Sequence, residues 1–132
     1  MKNYNKAPAR KAQGRHKEQQ DELDDARQQV GLEVWNSYSA VRASTNEVKD
    51  SATLLDIAQQ SFTASQHRYE SGVGNILELL NAQSALANGK QQRIQALTDW
   101  RAARLRLAGS LGKLDIAGMA STIRNYQGST VP

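Results

Sequence analysis

The chain contains no cysteine, and its only prolines are Pro8 and Pro132. The absence of cysteine excludes disulfides and thiolate metal sites. A proline inside a helix costs about 3 kcal/mol, so the long interval without proline permits unusually long helices. Aromatic residues make up only 5% of the sequence, and mean hydropathy is −0.67. This composition is typical of long helices with narrow apolar seams rather than of an enzyme with a thick core.

Long hydrophobic runs are also missing. The densest apolar segment, 76–80, is interrupted by a glutamate and falls far short of the ~20 residues of a membrane-spanning helix. The first six residues lack the apolar core of a signal peptide. No signal peptide is therefore expected within these residues.

The residue types that carry catalysis are sparse. Only His16 and His67 are present as histidines, and neither has the spacing of a metal site. The glycines at 72 and 74 lie between two helical patterns rather than after a strand, so they do not fit a phosphate-binding loop. The sequence predicts no enzyme activity, no metal and no cofactor.

Positive charge is concentrated at the amino terminus, although the formal net charge is only +4. Six basic residues precede the first acid, Glu18: Lys2, Lys6, Arg10, Lys11, Arg15 and Lys17. Residues 1–14 are predicted to be a disordered basic arm. Two interpretations stay open: a solvated terminus, or a nucleic-acid contact whose strength would fall steeply with salt. No aromatic residues alternate with the basic ones, which favours the solvated terminus and no nucleic-acid partner.

Apolar residues recur at steps of three and four through most of the chain, the spacing of a coiled-coil helix. This pattern predicts a helical hairpin over residues 15–112, with a helix at about 15–69, a turn at 70–75 and a second helix at 76–111. Gly112 is expected to cap the second helix, and residues 113–132 to form an irregular tail. The predicted fold class is all-α, a long antiparallel hairpin resembling a coiled coil.

Each predicted helix carries two neighbouring stripes, which implies two packing partners per helix. On the first helix the stripes are Val41, Thr45, Val48, Ala52, Leu55, Gln59, Phe62, Gln66 and Tyr69, beside Ala40, Ser44, Ser51, Leu54, Ala58, Ser61 and Ser65. Folding the chain about Val73 predicts that Trp100 faces the region of Asn46. The glutamines in these stripes either fix the register or are simply tolerated.

The turn between the helices is the most informative segment. Gly72 and Gly74 permit the positive φ that a tight reversal requires. Asn75 is a good N-cap, with Glu78 at the spacing of a capping box. Val73 and the preceding tyrosine would place apolar surface at the exposed end of the hairpin. That surface either only closes the hairpin or docks a partner.

Three segments together resemble the TolC-type outer-membrane efflux channel family. The first is Arg68-Tyr-Glu-Ser-Gly-Val-Gly-Asn-Ile-Leu-Glu-Leu-Leu-Asn-Ala-Gln83, followed by Leu86. The second is Arg104-Leu-Arg-Leu-Ala-Gly-Ser-Leu-Gly112, which is similar to the family's helix ending, and the third is the upstream helix around 26–38. The resemblance covers about residues 15–112.

The resemblance implies a role in transport. Members form trimers in which strands cross the outer membrane and helices build a tunnel through the periplasm, where the helix tips meet a periplasmic adaptor protein of a pump. By this likeness Ser71, Gly72, Val73, Gly74 and Asn75 would contact the adaptor, with an inner-membrane pump as the further partner. The sequence shows no first repeat and no clear strand, so it is expected to be a truncated, carboxy-terminal helical part of such a channel.

A second function class remains open at this stage. The same stripes would also suit a soluble coiled-coil interaction protein that has no transport role. Genes for an adaptor and an inner-membrane pump beside this gene would favour the channel.

Overall fold

The computed structural model describes residues 7–128, which form two helices joined by the turn 71–75. Helix α1 spans Ala7–Glu70 (64 residues), and helix α2 spans Ile76–Gly128 (53 residues). Within this range no residue outside the turn departs from helix. The predicted all-α fold, two long helices that pack against each other, is confirmed.

The outer bounds of both helices differ from the prediction. Helix α1 already begins at Ala7. Pro8 is compatible with this start, because the first turn of a helix needs no N–H donor. The predicted disorder of residues 7–14 is therefore wrong, and residues 1–6 of the basic arm lie outside the described residues.

At the other end, α2 continues to Gly128 instead of ending at 111. Gly112 does not cap the helix, because the only described glycine with positive φ is Gly72. The steps of three and four also continue beyond it, through the half-buried Ala117 and Ser121. The predicted irregular tail is thus helical over 113–128, and residues 129–132 lie outside the described part.

The chain divides into two compact units. The turn unit comprises residues 37–107, and the described part of the terminal unit comprises 7–36 and 108–128. In the terminal unit, Lys113 Nζ lies 3.2 Å from Glu33 Oε1. Ser110 is its one residue in the buried class, so this unit has a thin core. Within residues 7–128, no helical stretch combines the length and hydropathy needed to cross a membrane.

The seam of the turn unit alternates large and small side chains with a seven-residue period. On α1 the large positions are Val41, Val48, Leu55 and Phe62, and the small ones are Ser37, Ser44, Ser51, Ala58 and Ser65. On α2 the large positions are Leu79, Leu86, Arg93, Trp100 and Leu107, and the small ones are Ala82, Gly89, Ala96 and Ala103. All are buried or half-buried. A narrow coiled-coil seam therefore holds the two helices together.

Small residues allow the backbones to approach closely. A Cβ placed on Gly89 would lie 3.7 Å from both the Cβ of Ala58 and the Cα of Leu55. Two seam serines pair their hydroxyls within α1: Ser44 Oγ donates to the carbonyl of Ala40 (2.8 Å) and Ser51 Oγ to that of Val48 (2.9 Å). Polar side chains are thus tolerated in the seam because the helix itself accepts their hydrogen bonds.

In each heptad of α1, the seam uses one of the two positions that each predicted stripe provides. Ala52, Gln59 and Gln66 of the first stripe are exposed, as are Leu54 and Ser61 of the second. Each predicted stripe thus packs against α2 at about half of its positions, and the second packing partner that the two stripes imply stays a prediction. The glutamines lie beside the seam, where they remain in contact with water.

Two polar contacts fix the register across the seam. Trp100 Nε1 donates to Thr45 Oγ1 at 3.2 Å, which confirms the predicted facing of Trp100 to within one residue. Arg93 Nη1 donates to the carbonyl of Val48 and lies 3.4 Å from Ser51 Oγ. Arg93 occupies a large-residue position, and its aliphatic stem fills the seam while the guanidinium finds acceptors on α1.

Candidate functional site

The turn closes the end of α1 with a Schellman motif. Gly72 adopts φ +75° and donates its N–H to the carbonyl of Tyr69 at 3.1 Å. Val73 donates to the carbonyl of Arg68 at 3.0 Å. These are the two hydrogen bonds that define the motif, and they satisfy carbonyls that the helix end would leave open. Glycine is needed at 72 because a side chain in this region of φ/ψ space is strained.

Gly74 is required for a different reason. Its N–H donates to the carbonyl of Arg68 at 2.8 Å, so its backbone lies directly against the last turn of α1. A Cβ at this position would be 2.9 Å from the amide nitrogen of Tyr69 and 3.0 Å from the carbonyl carbon of Arg68. Both are backbone atoms, so no side-chain rotation relieves the clash. Only glycine fits this path.

Asn75 starts α2 as its N-cap, as predicted. Its Oδ1 accepts the N–H of Leu77 at 2.8 Å, and its carbonyl accepts the first helical hydrogen bond, from Leu79 at 3.2 Å. This is the usual pattern of a side-chain cap on a free helical donor. The amides of residues 71–74, 77 and 79 thus all have hydrogen-bond acceptors where the chain passes from one helix to the next.

An ion pair joins the two helices just behind the turn. Arg68 Nη1 lies 3.3 Å from Glu78 Oε1, and the two side chains remain 56% and 43% exposed. An exposed pair of this kind contributes about 0–1 kcal/mol, so it orients the helix ends more than it stabilises them. The spacing of Glu78 predicts a capping box, but in the structure its carboxylate pairs with Arg68. The opposite charges on the two sides of the turn are the sequence signal for this pair.

The turn exposes apolar side chains on this fixed backbone. Val73 is 74% exposed, although the residue at its position in a Schellman motif commonly packs back onto the helix. Tyr69, Ile76, Leu77 and Leu80 are also exposed. Backbone order combined with outward apolar side chains is typical of a surface that binds another protein.

The structure brings all five predicted site residues together in the turn, but with different tasks. Gly72 and Gly74 shape the backbone, and Asn75 caps α2. Ser71 is exposed and donates its N–H to the carbonyl of His67 at 3.0 Å. Only Val73 offers a large apolar side chain. Binding by the set stays a prediction, and Val73 is the residue on which it depends most.

The acidic side chains near the turn make local contacts. Residues 7–128 hold no group of three or more histidine, aspartate or glutamate side chains placed to bind a metal ion. The described carboxylates near the turn are engaged in local contacts, since Glu78 pairs with Arg68 and Glu70 accepts a hydrogen bond from Gln66 at 3.2 Å. The charged side chains beside the turn thus make short-range contacts with one another and with a neighbouring amide.

Comparison with known proteins gives a consistent result. Residues 3–113 match the family model described as outer membrane efflux protein. The chain is 33% identical over 99 residues to Protein CyaE of Bordetella pertussis, covering 73% of this chain and 21% of that protein. It is 26% identical over 95 residues to Outer membrane protein TolC of Escherichia coli, covering 72% of this chain and 19% of that protein. The chain thus spans about a fifth of these relatives. No solved structure matches significantly.

Proposed function

Because this chain belongs to the outer membrane efflux protein family, we propose that it forms part of the periplasmic helical tunnel of an outer-membrane export channel. In this role the turn 71–75 docks a periplasmic adaptor protein. The chain contributes structure and a binding surface, not catalysis. The observation that carries the docking proposal is Val73, which is 74% exposed on a backbone that two glycines and an N-cap hold in place.

The geometry of the turn supports docking in two ways. A preordered backbone loses little conformational entropy on binding, so more of the contact energy appears as affinity. The apolar side chains around Val73 supply the buried centre that protein interfaces need, and the Arg68–Glu78 pair supplies a polar rim. A partner that fits this surface presents a small apolar groove with polar edges.

The proposed partners follow from the family. The chain acts at the outer membrane, with its helices in the periplasm, as part of a homotrimer that an adaptor links to an inner-membrane pump. No cofactor and no nucleic acid take part. The narrow seam described above supports assembly, because the turn unit buries only Leu86, Ala96 and Ala103 among its hydrophobic residues to less than a tenth exposure. Large apolar side chains elsewhere on both helices remain available to neighbours.

The test replaces Val73 by aspartate in the full-length channel that contains this segment. Val73→Asp keeps the N–H that donates to Arg68, so the turn remains formed while its apolar contact is lost. Site-specific cross-linking of the adaptor to the channel is expected to fall at least about tenfold, the loss that 1.4 kcal/mol of contact energy produces. Export is expected to fall with it, and trimers are expected to persist.

Two control variants make the result specific. Val73→Leu retains apolar surface and is expected to keep adaptor cross-linking. Leu105→Asp introduces the same charge at an equally exposed position, 74%, away from the turn. It is expected to leave cross-linking per trimer unchanged. Normal adaptor cross-linking and export by Val73→Asp trimers would refute docking at this turn.

A further inference from the structure

The terminal unit exposes an apolar stripe on the outer side of α2. Ala117 and Ser121 are half-buried, so their side of α2 faces α1. Met119 and Ile123 each follow one of these two by two residues, which turns them by about 200°, to the opposite side of the helix. Further apolar residues lie three positions before and after this pair, on the same side. We call the set the outer stripe: Ile116 (69% exposed), Met119 (61%), Ile123 (61%) and Tyr126 (77%).

The outer side of α1 in the same unit is acidic. Leu23 and Val30 are half-buried, so their side of α1 faces α2. Asp25 follows Leu23 by two residues and therefore lies on the side away from α2. The exposed acids of that side recur at steps of four and three: Glu18, Glu22 and Asp25. Residues 108–128 of α2, in contrast, contain a single acid, Asp115. The terminal unit thus has an apolar face on α2 and an acidic face on α1.

Positive charge is concentrated where α1 begins. The Lys113–Glu33 ion pair fixes which residues of the two helices lie side by side. Counting an equal number of residues from that pair places Gly128, the last residue of α2, beside Glu18. The first turns of α1 therefore extend past the end of α2. We call their exposed basic residues the basic end, and none of them has an ion pair with another described residue: Arg10, Lys11, Arg15 and Lys17.

An anionic lipid surface has the chemistry that fits both the outer stripe and the basic end. The apolar side chains of a surface-bound helix enter the headgroup region, where tyrosine is favoured. Each lysine or arginine near an anionic bilayer strengthens binding by about fivefold. A nucleic acid would use the basic end but would leave the outer stripe in water. The acids of α1 lie on the side that a lipid surface against α2 does not touch.

We propose that the terminal unit binds the surface of an anionic phospholipid bilayer. The outer stripe enters the headgroup region, and the basic end contacts the lipid phosphates. The contact is made by helices that lie on the bilayer, not by a segment that crosses it. It goes beyond the proposed function, which gives these helices no lipid contact, and it does not depend on docking at the turn.

The test measures binding of the full 132-residue chain to phospholipid vesicles by co-sedimentation. Affinity for vesicles of equal parts phosphatidylglycerol and phosphatidylcholine is expected to exceed that for phosphatidylcholine alone by at least about tenfold. The affinity is also expected to fall at high salt, where charge interactions are screened.

Two variants remove the two surfaces separately. The first neutralises the basic end through Arg10→Gln, Lys11→Gln, Arg15→Gln and Lys17→Gln. The second removes most of the outer stripe through Ile116→Gln, Met119→Gln and Ile123→Gln. Each variant is expected to lose at least about tenfold in affinity for the anionic vesicles. All seven side chains are exposed, so circular dichroism is expected to show unchanged helix content.

Matched controls in the turn unit make the result specific. One control removes as many positive charges through Arg42→Gln, Lys49→Gln, Lys90→Gln and Arg101→Gln, all at exposed positions. The other removes as many exposed apolar side chains through Leu54→Gln, Ile57→Gln and Ile94→Gln. Both controls are expected to bind anionic vesicles like the wild-type chain.

A fluorescent label tests which face meets the lipid. Because the chain has no cysteine, one introduced thiol carries the label at a single position. Ile123→Cys places an environment-sensitive fluorophore in the outer stripe, and Glu22→Cys places it at nearly the same level on the acidic face. Anionic vesicles are expected to shift the emission of the label at 123 to shorter wavelength and to leave that at 22 unchanged.

Four outcomes would overturn the proposal: no binding to anionic vesicles, equal affinity for both kinds of vesicle, unchanged affinity of either test variant, or equal emission shifts of the two labels. A chain that binds a DNA duplex and not anionic vesicles would also overturn it and would assign the basic end to nucleic acid. Because the purified chain is tested without adaptor or export, this result and the docking result at Val73 are independent of each other.

Discussion

The same substitution, glycine to alanine, is expected to have opposite effects at two sites of the hairpin. At Gly74 a Cβ would lie 2.9 Å from the amide nitrogen of Tyr69 and 3.0 Å from the carbonyl carbon of Arg68. At Gly89 it would lie 3.7 Å from the nearest atoms of Leu55 and Ala58, which is ordinary van der Waals contact. The first site has no room for a methyl group, and the second accommodates it.

The magnitudes follow from these distances. Gly89→Ala removes a helix-interior glycine and is expected to stabilise the chain by about 1 kcal/mol. Gly74→Ala forces the turn away from α1, and overpacking of this kind costs about 1–3 kcal/mol. Alanine also restricts the unfolded chain, which returns about 0.4–1 kcal/mol. The expected net loss at Gly74 is therefore about 1–2 kcal/mol.

Two measurements on the purified chain separate these effects. Urea denaturation followed by far-UV circular dichroism gives the change in the free energy of unfolding. Amide hydrogen exchange then locates it, because Val73 and Gly74 both donate their N–H to the carbonyl of Arg68. In Gly74→Ala these two amides are expected to lose protection, while amides of the seam near Gly89 keep theirs.

The result that would refute this reasoning is specific. If Gly74→Ala is as stable as wild type and its turn amides stay protected, the close approach of the turn to α1 is wrong. If Gly89→Ala destabilises as much as Gly74→Ala, the two helices lie closer at Gly89 than the seam geometry indicates.

The remaining predictions concern the positive φ of the turn and the polar contact in the seam. Gly72→Ala is expected to cost about 1–2 kcal/mol, because φ is +75° and no atom lies near enough to add a clash. Gly72→Asn is expected to cost clearly less, since asparagine tolerates this region, and equal losses in urea denaturation would contradict the assignment. Trp100→Phe removes the donor to Thr45 and is expected to cost about 1 kcal/mol. Thr45→Val added to it should then cost little more, and additive losses in the double-mutant cycle would argue against the bond.

The sequence predicts the helices and the turn well because the relevant forces are local. Proline-free heptad spacing indicates long helices, and a pair of glycines followed by an N-cap residue indicates a reversal. The register also follows from the sequence, since a short turn leaves little freedom in how two helices pair. Trp100 accordingly lies within one residue of its predicted partner, in contact with Thr45.

The sequence predicts the helix ends and the seam less well. Gly112 has the residue type of a C-cap, but its identity does not reveal whether the next turns find packing partners. The way the two stripes share one seam is hard to predict, because a stripe of small residues looks secondary beside a stripe of valine and leucine. In the structure, Ser44 and Ser51 are among the most buried side chains, since their small size admits the partner helix.

The role of individual turn residues required the structure. Gly72 and Gly74 look equivalent in the sequence, yet one provides a positive φ and the other a close approach. Sequence spacing likewise does not reveal that Arg68 and Glu78 meet across the turn. The residue type of Val73 predicts an apolar surface, but only its 74% exposure shows that it does not fold back onto the helix.

The apolar side chains beside the seam remain exposed because the seam is narrow. Small residues at every second seam position bring the helices together, so the core of the hairpin is too thin to cover the apolar side chains beside it. Leu54, Ile57 and Ile94 therefore remain more than half exposed. Full burial of such a side chain contributes about 1.5–3 kcal/mol. Burying the exposed half of each one against a neighbour would therefore contribute about 1 kcal/mol per side chain. Under the proposed function, contacts with neighbouring helices would supply the burial that the hairpin core lacks, and the turn would remain free to bind the adaptor.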